Sequence, residues 1–376
     1  MDAQRWHDYC LSDPVPEPEV LTLRQWRHLT EVQRCHHIAA LERWLDKLFL
    51  LTDDLAEIGQ TVTDIVSRNT RTPPGAKKIV VITGPNLCGK STMMMHLARE
   101  LHLALIDTAD RDPRGRPIVR LGPDSEADYC PIAMITLPAR AQIAGVNRQV
   151  LGHYGVPIDG RGDLTIATIE AAKRHQTHVL IVDDTHLLYT DWKGGRFVLD
   201  HIKVINTALG EQPWGATLIL VGANLAGSDL VRDPQIAGRL ILREVPTYDL
   251  NESSSLEECA KWQRIAAQLE DLVLPYLPAG KPGMLYIQLA GELSLRTQGY
   301  IGDLVELIAK ATVAASLDGS HRITKKHLDG VELSERAKEA YQAKLAEQRR
   351  RGRRTQKGAN EDDGAASPSP RAASSG

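Results

Sequence analysis

Two hydrophobic periodicities divide the chain. From Thr30 to Asn69 apolar residues recur at helical spacing: Val32, Cys35, Ile38, Ala39 and Leu45 mark one face, and Leu55, Ile58, Val62, Ile65 and Val66 another, with Thr52 placed to cap the second helix. Pro73, Pro74 and Gly75 end that pattern. From about Lys77 to Val245 short apolar runs take over, at Ile79–Ile82, Leu103–Ile106, Ile132–Leu137, Val179–Val182 and Thr217–Val221. Between them lie the helical stretches Ser91–His102, Arg140–His153, Leu164–His175 and Phe197–Leu209. Strands alternating with helices predict an α/β fold with a parallel sheet covered by helices on both faces. After Glu244 the pattern is wholly helical, in Leu256–Leu274, Leu285–Leu295, Tyr300–Ala315 and Lys325–Leu333.

The chain accordingly reads as a Pro- and acid-rich flexible N-terminus (1–20), a helical adaptor (21–76), an α/β core (77–245), a C-terminal helical lid (246–334) and a tail (335–376) that is first basic and then rich in Ala, Ser, Pro and Gly, a disordered composition. Within the core, Ala109–Tyr129 carries three prolines, two glycines and Arg111, Arg114, Arg116 and Arg120, and reads as an inserted loop or hairpin.

The chemistry begins where the first strand ends. Gly84, Pro85, Asn86, Leu87, Cys88, Gly89, Lys90, Ser91 and Thr92 spell a complete G-x-x-x-x-G-K-S phosphate-binding loop. The glycines let the backbone curl so that its N–H groups point at phosphate oxygens, and the following helix adds its positive N-terminal end. Lys90 is expected to reach the β- and γ-phosphates of ATP, and Ser91 to ligate Mg²⁺. About ninety residues on, Val179–Val182 runs into Asp183 and Asp184. An apolar strand ending in acids is the Walker B pattern, and its strand is expected beside the one feeding the phosphate loop. Asp183 would hold the Mg²⁺ water shell, and Asp184 would orient or deprotonate the attacking water. Cys88 reads as a small tolerated side chain, or as a thiol made alkylatable by the nearby phosphate-binding amides.

Composition adds limits. At 376 residues, 42% hydrophobic and 25% charged, the chain has enough material for two cores. It lacks a run of eighteen apolar residues and a charged-then-apolar leader, so a cytoplasmic protein without membrane insertion is expected. Five scattered cysteines without a C-x-x-C pair argue against a disulfide framework or a zinc ribbon, and Cys35, His36 and His37 read as ordinary helix residues. The net charge of −3 hides an asymmetry: between residues 344 and 357 Lys344, Arg349, Arg350, Arg351, Arg353, Arg354 and Lys357 face only Glu347, and the remainder is acidic. Nucleic-acid binding would therefore come from local patches, for which the Arg111–Arg120 insertion, the loop Trp192–Arg196 and the tail are candidates. Trp192 would pack on DNA sugar or cap the core, and the tail would attract polyanions without shape.

A phosphate-loop core followed by a helical bundle resembles the AAA+ ATPases, and the chain is similar to the TniB/TnsC branch, which selects target DNA and activates the transposase of cut-and-paste transposons. The similarity spans roughly Leu21 to Leu333. It rests on the two Walker segments, His186-Leu187-Leu188 after the acids, Leu218–Gly222, Asp233–Arg239, and Gly299–Leu304 opening a lid helix. It implies that Asn224, past the fourth core strand, is the polar sensor of the γ-phosphate and attacking water, against a plain turn Asn. It implies that Arg239 reaches the γ-phosphate of a neighbouring subunit, with Arg243 the rival. The chain departs from the family where Asp184 replaces the usual Glu, which suits slow, switch-like hydrolysis. It departs again where Asp303 takes a usually basic lid position; Arg296 is a substitute there, and the second sensor stays unassigned. The implied function is ATP-dependent regulation of DNA transposition, with duplex DNA, a DDE-type transposase, a target-site adaptor protein and further copies of itself in a ring or helical filament as partners. A helicase loader or replication-type AAA+ ATPase is the alternative, and a phosphate-loop small-molecule kinase a more distant one.

Overall fold

The computed structural model describes residues 1–158, 162–188, 195–251, 253–347 and 350. They divide into two compact units, Met1–Glu17 with Lys47–Thr247, and Pro18–Asp46 with the chain from Tyr248 on. The helices of the 21–76 stretch are shared out: Leu23–His28 and Glu31–Leu45 belong to the second unit, Asp53–Arg71 to the first. Among the described residues no helix is long and apolar enough to cross a membrane.

The strands of the first unit are β1 (Ile79–Thr83), β2 (Asp110–Arg111), β3 (Pro117–Gly122), β4 (Ser125–Asp128), β5 (Ile132–Thr136), β6 (Val179–Asp183), β7 (Thr217–Val221) and β8 (Leu240–Glu244). Five of them form one parallel sheet in the order β5-β6-β7-β1-β8. Successive side chains of a strand leave opposite faces. Ile79, Val81, Leu180, Val182, Leu218 and Leu220 therefore pack with the helices Ile143–His153, Leu164–Arg174 and Gly195–Gly210. Val80, Ile82, Val179, Ile181, Ile219 and Val221 pack on the other face with Ala3–Leu11, Asp53–Arg71 and Lys90–Asp107. The α/β architecture expected from the sequence is the one present.

The stretch 1–20, expected to be flexible, contains the helix Ala3–Leu11, whose Trp6 and Cys10 are buried in the core, and three further expectations about this unit need correction. First, β6 does not lie beside β1. β7 separates them, with Ile219 level with Val80 on one side and with Ile181 on the other. A motif fixes what stands at a strand's end, whereas strand order is fixed by which crossover fills each slot. Second, Leu103–Ile106 is not a strand but the last turns of the helix Lys90–Asp107. No Gly or Pro interrupts that helix, Leu103 and Leu105 pack against the core on that side of the sheet, and Ile106 is buried.

The third correction concerns the insertion, a separate antiparallel sheet of β2, β3 and β4. It is no cationic patch, because Asp110, Asp112, Asp124, Glu126 and Asp128 outnumber its four arginines. Asp112 accepts from the Arg116 and Arg114 amides and pairs with the Arg116 guanidinium. Arg120 pairs with Asp110, and Arg111 donates to the Gly115 and Ile106 carbonyls. Arg114 alone of the four has no side-chain partner among the described residues. Arg111, Arg116 and Arg120 hold the hairpin together instead of presenting a field to a polyanion.

The second unit is helical. The stretch expected as one helix from Leu285 is a π-helical turn, Met284–Gln288, followed by the helix Ala290–Thr297. The buried Glu270 carboxylate fixes that turn by accepting from the Gly283 and Leu285 amides, at 2.7 and 2.6 Å. Arg296, weighed as a substitute sensor, is engaged within the unit: it pairs with Glu292 and Asp329, donates to the Leu328 carbonyl and lies over the Tyr341 ring. Asp303 is likewise buried, paired with Arg336, whose guanidinium stacks 3.6 Å from the centre of the Tyr300 ring. Both charges are matched where they stand, as burial demands.

Gly299, at the turn into the helix Ile301–Leu317, has φ +72°, and a Cβ there would lie 2.0 Å from the Tyr248 carbonyl carbon. Gly299→Ala is expected to destabilise this unit by about 3 kcal/mol or more, since both the backbone angle and the close approach must give way. A thermal melt of the variant superimposable on that of the parent would contradict this.

Candidate functional site

The ends of β1, β6 and β7 carry the candidate site. β1 is fully buried and leaves the sheet at Thr83. Gly84 follows with φ +144°, and a Cβ on it would stand 2.6 Å from the Val245 carbonyl oxygen, so the chain can pass β8 only as glycine. Leu87 and Gly89 take positive φ angles as the loop closes, and the helix begins at Lys90 without a side-chain cap. Its first-turn amides thus lack a side-chain acceptor, which is the arrangement that receives an anion. Pro85 is half-buried, Asn86, Leu87, Ser91 and Thr92 are exposed, and Lys90 and Cys88 are buried. The Lys90 ammonium donates to the Gly84 and Pro85 carbonyls at 2.9 and 2.5 Å and approaches Cys88 Sγ. The ammonium is thus held against the loop's own carbonyls.

Asp183 is the last residue of β6, and its Oδ1 accepts from the Asp184 amide at 2.8 Å. Asp184 takes the left-handed conformation, φ +55°, and starts a 3-10 turn, Thr185–Leu187. The end of β7 repeats the arrangement: Asn224 has φ +50° and starts the turn Leu225–Gly227. Asp and Asn tolerate this conformation better than other residues with side chains. In both places it turns a short polar residue out of the strand direction at the sheet's C-terminal edge, where open α/β sheets bind ligands. Asn224 is exposed and its amide faces the Gly84 carbonyl at 3.4 Å.

Backbone and side-chain bonds tie these ends together. The Gly222 amide donates to the Ile82 carbonyl, and the buried Thr83 hydroxyl accepts from the Leu225 amide at 2.7 Å. Thr83, Gly222 and His186 were not singled out from the sequence for the site. Thr83 had a readable signal, a hydroxyl closing an otherwise apolar strand, but its partner lies 142 residues away.

Arg239 sits apart. It is exposed, precedes β8, and its carbonyl accepts from the Ile79 amide. That places it at the end of the sheet opposite Gly84, about 17 Å along the strand, beyond the reach of an arginine side chain. Arg243 lies level with Ile82, half-buried, donating to the Thr61 hydroxyl and the Leu242 carbonyl. Trp192, Lys193, Gly194, the Arg196 side chain and the tail from 348 on, Arg350 apart, lie outside the described residues.

The uncapped helix start, the glycine passage and the buried Lys90 fit a nucleoside triphosphate, and the hydroxyl of Ser91 with the carboxylate of Asp183 supplies the hard oxygens that Mg²⁺ takes. The ion would neutralise charge on the phosphate oxygens. Asp184, at the adjoining turn, is the carboxylate available to orient a water.

Cys88 answers the question the sequence left open. Its Sγ is buried and donates to the Pro85 carbonyl at 2.9 Å, and burial pushes the thiol up from its ordinary value despite Lys90 nearby. A raised pKa means less thiolate at neutral pH, and therefore slower alkylation. With limiting iodoacetamide at pH 7.5, mass spectrometry should find the exposed Cys35 modified well before Cys88. Modification of Cys88 first would overturn this.

Residues 73–226 match the family model described as "AAA domain". No curated protein matches the chain. Among solved structures it is similar to the Aeropyrum pernix ORC2 protein in ADPNP and ADP complexes, 12% identical with a TM-score of 0.45, over 75% of this chain and 67% of that one. It is similar also to Cdc6p from Pyrobaculum aerophilum, 13% identical with a TM-score of 0.47, over 72% of this chain and just under two thirds, 64%, of that one. Drosophila ORC bound to DNA gives 12% identity and a TM-score of 0.44 over 87% and 72%. The matched span contains the phosphate loop, the acidic end of β6 and the Asn224 turn, and the chain is a phosphate-loop ATPase built on an AAA domain.

Proposed function

We propose that this ATPase is an AAA+ regulator of DNA transposition that oligomerises on duplex DNA as a ring or helical filament, marks the target and recruits or activates a DDE-type transposase together with a target-site adaptor protein. The observation that carries the assembly is the position of Arg239. An exposed arginine at the sheet end remote from its own phosphate loop is of no use to that loop, and suits a phosphate bound by the next subunit. The transposon assignment is supported by the sequence similarity to the TniB/TnsC branch.

In this reading Gly84 to Thr92 wrap the phosphates, Lys90 meets the β- and γ-oxygens, and Ser91 and Asp183 hold Mg²⁺. Asn224 senses the γ-phosphate, and Asp184 orients the water. Asp184 is one methylene shorter than the Glu usual in the family, so the water stands farther from its base and turnover is slow. Slow turnover suits a switch: ATP at the subunit interface favours assembly, and hydrolysis favours release. Duplex contact falls chiefly to surfaces other than the insertion, three of whose four arginines are internally engaged.

Electron microscopy of the full chain with duplex DNA and a slowly hydrolysed ATP analogue should show rings or filaments that need both. Isolated monomers under those conditions would refute the proposal, and capture of a replicative helicase in place of a transposase would redirect it to helicase loading.

The interface prediction is independent of DNA partners. Arg239→Ala protein should bind ATP normally but hydrolyse it at least about tenfold more slowly. Mixing it with Lys90→Ala protein, which lacks a working pocket but keeps Arg239, should restore part of the rate. Absence of rescue in mixtures that co-assemble would remove Arg239 from the site.

A further inference from the structure

The turns that carry Asp184 and Asn224 are joined by a side chain the proposed mechanism leaves idle. His186 lies in the 3-10 turn after Asp184, and its Nδ1 accepts from the Ala223 amide, next to Asn224, at 3.3 Å. The same nitrogen is 4.0 Å from Asp184 Oδ1. A ring nitrogen that accepts from an N–H must be bare, so this contact assigns the proton of a neutral imidazole to Nε2. The backbones meet closely as well. A Cβ on Gly222 would lie 2.9 Å from the His186 amide nitrogen, so the two turns can approach this far only because residue 222 is glycine.

Each turn is also anchored from behind. The Thr185 hydroxyl donates to the Val182 carbonyl at the end of β6, and the Leu225 amide donates to Thr83 at the end of β1. His186 spans the gap between two anchored turns. A displacement of Asn224 carries the Ala223 N–H with it, and the imidazole passes that displacement to the turn that aims Asp184.

We propose that His186 is a positioning residue for ATP hydrolysis, which sets the Asp184 carboxylate according to the position of Asn224. The inference rests on the roles proposed above for those two residues. It assigns His186 no contact with ATP or the reacting water: its effect runs through Ala223 on one side and the Asp184 turn on the other. A positioning residue of this kind alters turnover far more than nucleotide affinity, because the phosphate loop is built elsewhere.

The test uses the full chain and three substitutions. Asparagine places its Oδ1 near the position of Nδ1 and can accept from Ala223, glutamine reaches instead toward the position of Nε2, and alanine reaches neither. His186→Ala and His186→Gln should lower kcat about tenfold with KM for ATP unchanged within about twofold, and His186→Asn should recover most of the loss. A second readout needs no nucleotide: deuterium exchange at the Ala223 amide should be faster in the Ala and Gln variants than in the parent or His186→Asn, with thermal melts confirming that all are folded. Parental kcat in His186→Ala, parental Ala223 exchange in that variant, or equal recovery by Gln and Asn would each overturn the proposal. Loss of activity in Asp184→Asn with none in His186→Ala would remove this inference alone. Parental activity in Asp184→Asn would instead remove the roles on which it rests.

Discussion

The site depends on one strand that bears none of the phosphate-loop or acidic residues. β7 lies between β1 and β6 in parallel register with both, so the loop and the acids are held two strand spacings apart, roughly 10 Å. In the proposed reading a phosphate and a hydrated ion occupy that gap, between Ser91 on one side and Asp183 on the other. β7 then fills the floor of the gap with Asn224. Because Gly222 bonds to Ile82, and Thr83 holds the Leu225 amide, the ends of β1 and β7 cannot shift independently. The buried Thr83 hydroxyl matters more than its size suggests, since without it a buried amide would be left without an acceptor, at a cost of about 1–3 kcal/mol.

The same economy of charge governs regions away from the site. In the insertion, carboxylates outnumber the arginines and engage Arg116 and Arg120. In the second unit, Arg296, weighed as a substitute sensor, and Asp303, which takes the usually basic lid position, have local partners of opposite sign. A charge already matched in a buried pair is costly to withdraw, because its partner is then left uncompensated. Arg239 differs: exposed and without a partner among the described residues, its guanidinium is available to another molecule.

What the sequence disclosed follows from range. The residues from Gly84 to Thr92 and the pair Asp183-Asp184 are local patterns whose meaning lies in adjacent residues, and the structure brings both to one edge of the sheet. The α/β class was legible because apolar runs alternate with helical spacing. Strand order was not, since nothing in Val179–Val182 says that β7 will intervene. Leu103–Ile106 misled because a four-residue apolar run has no period of its own, and only the absence of a breaker after Lys90 argues for continued helix. The insertion misled in a different way: counting Arg111, Arg114, Arg116 and Arg120 left out Asp112, four residues from Arg116, and Asp110, which meets Arg120 only once β2 pairs with β3. His186 could not have been assigned its contact, because the amide it receives lies 37 residues downstream.

The central claim is that Lys90, drawn inward by the Gly84 and Pro85 carbonyls, is the cation that holds the triphosphate at the end of β1. Isothermal titration calorimetry of ATP with Mg²⁺ into the full chain and into Lys90→Ala measures this most directly. The account predicts saturable binding to the parent and affinity at least about 100-fold weaker in the variant, a difference of about 2.7 kcal/mol or more. Equal affinity in two proteins with the same melting temperature would contradict it.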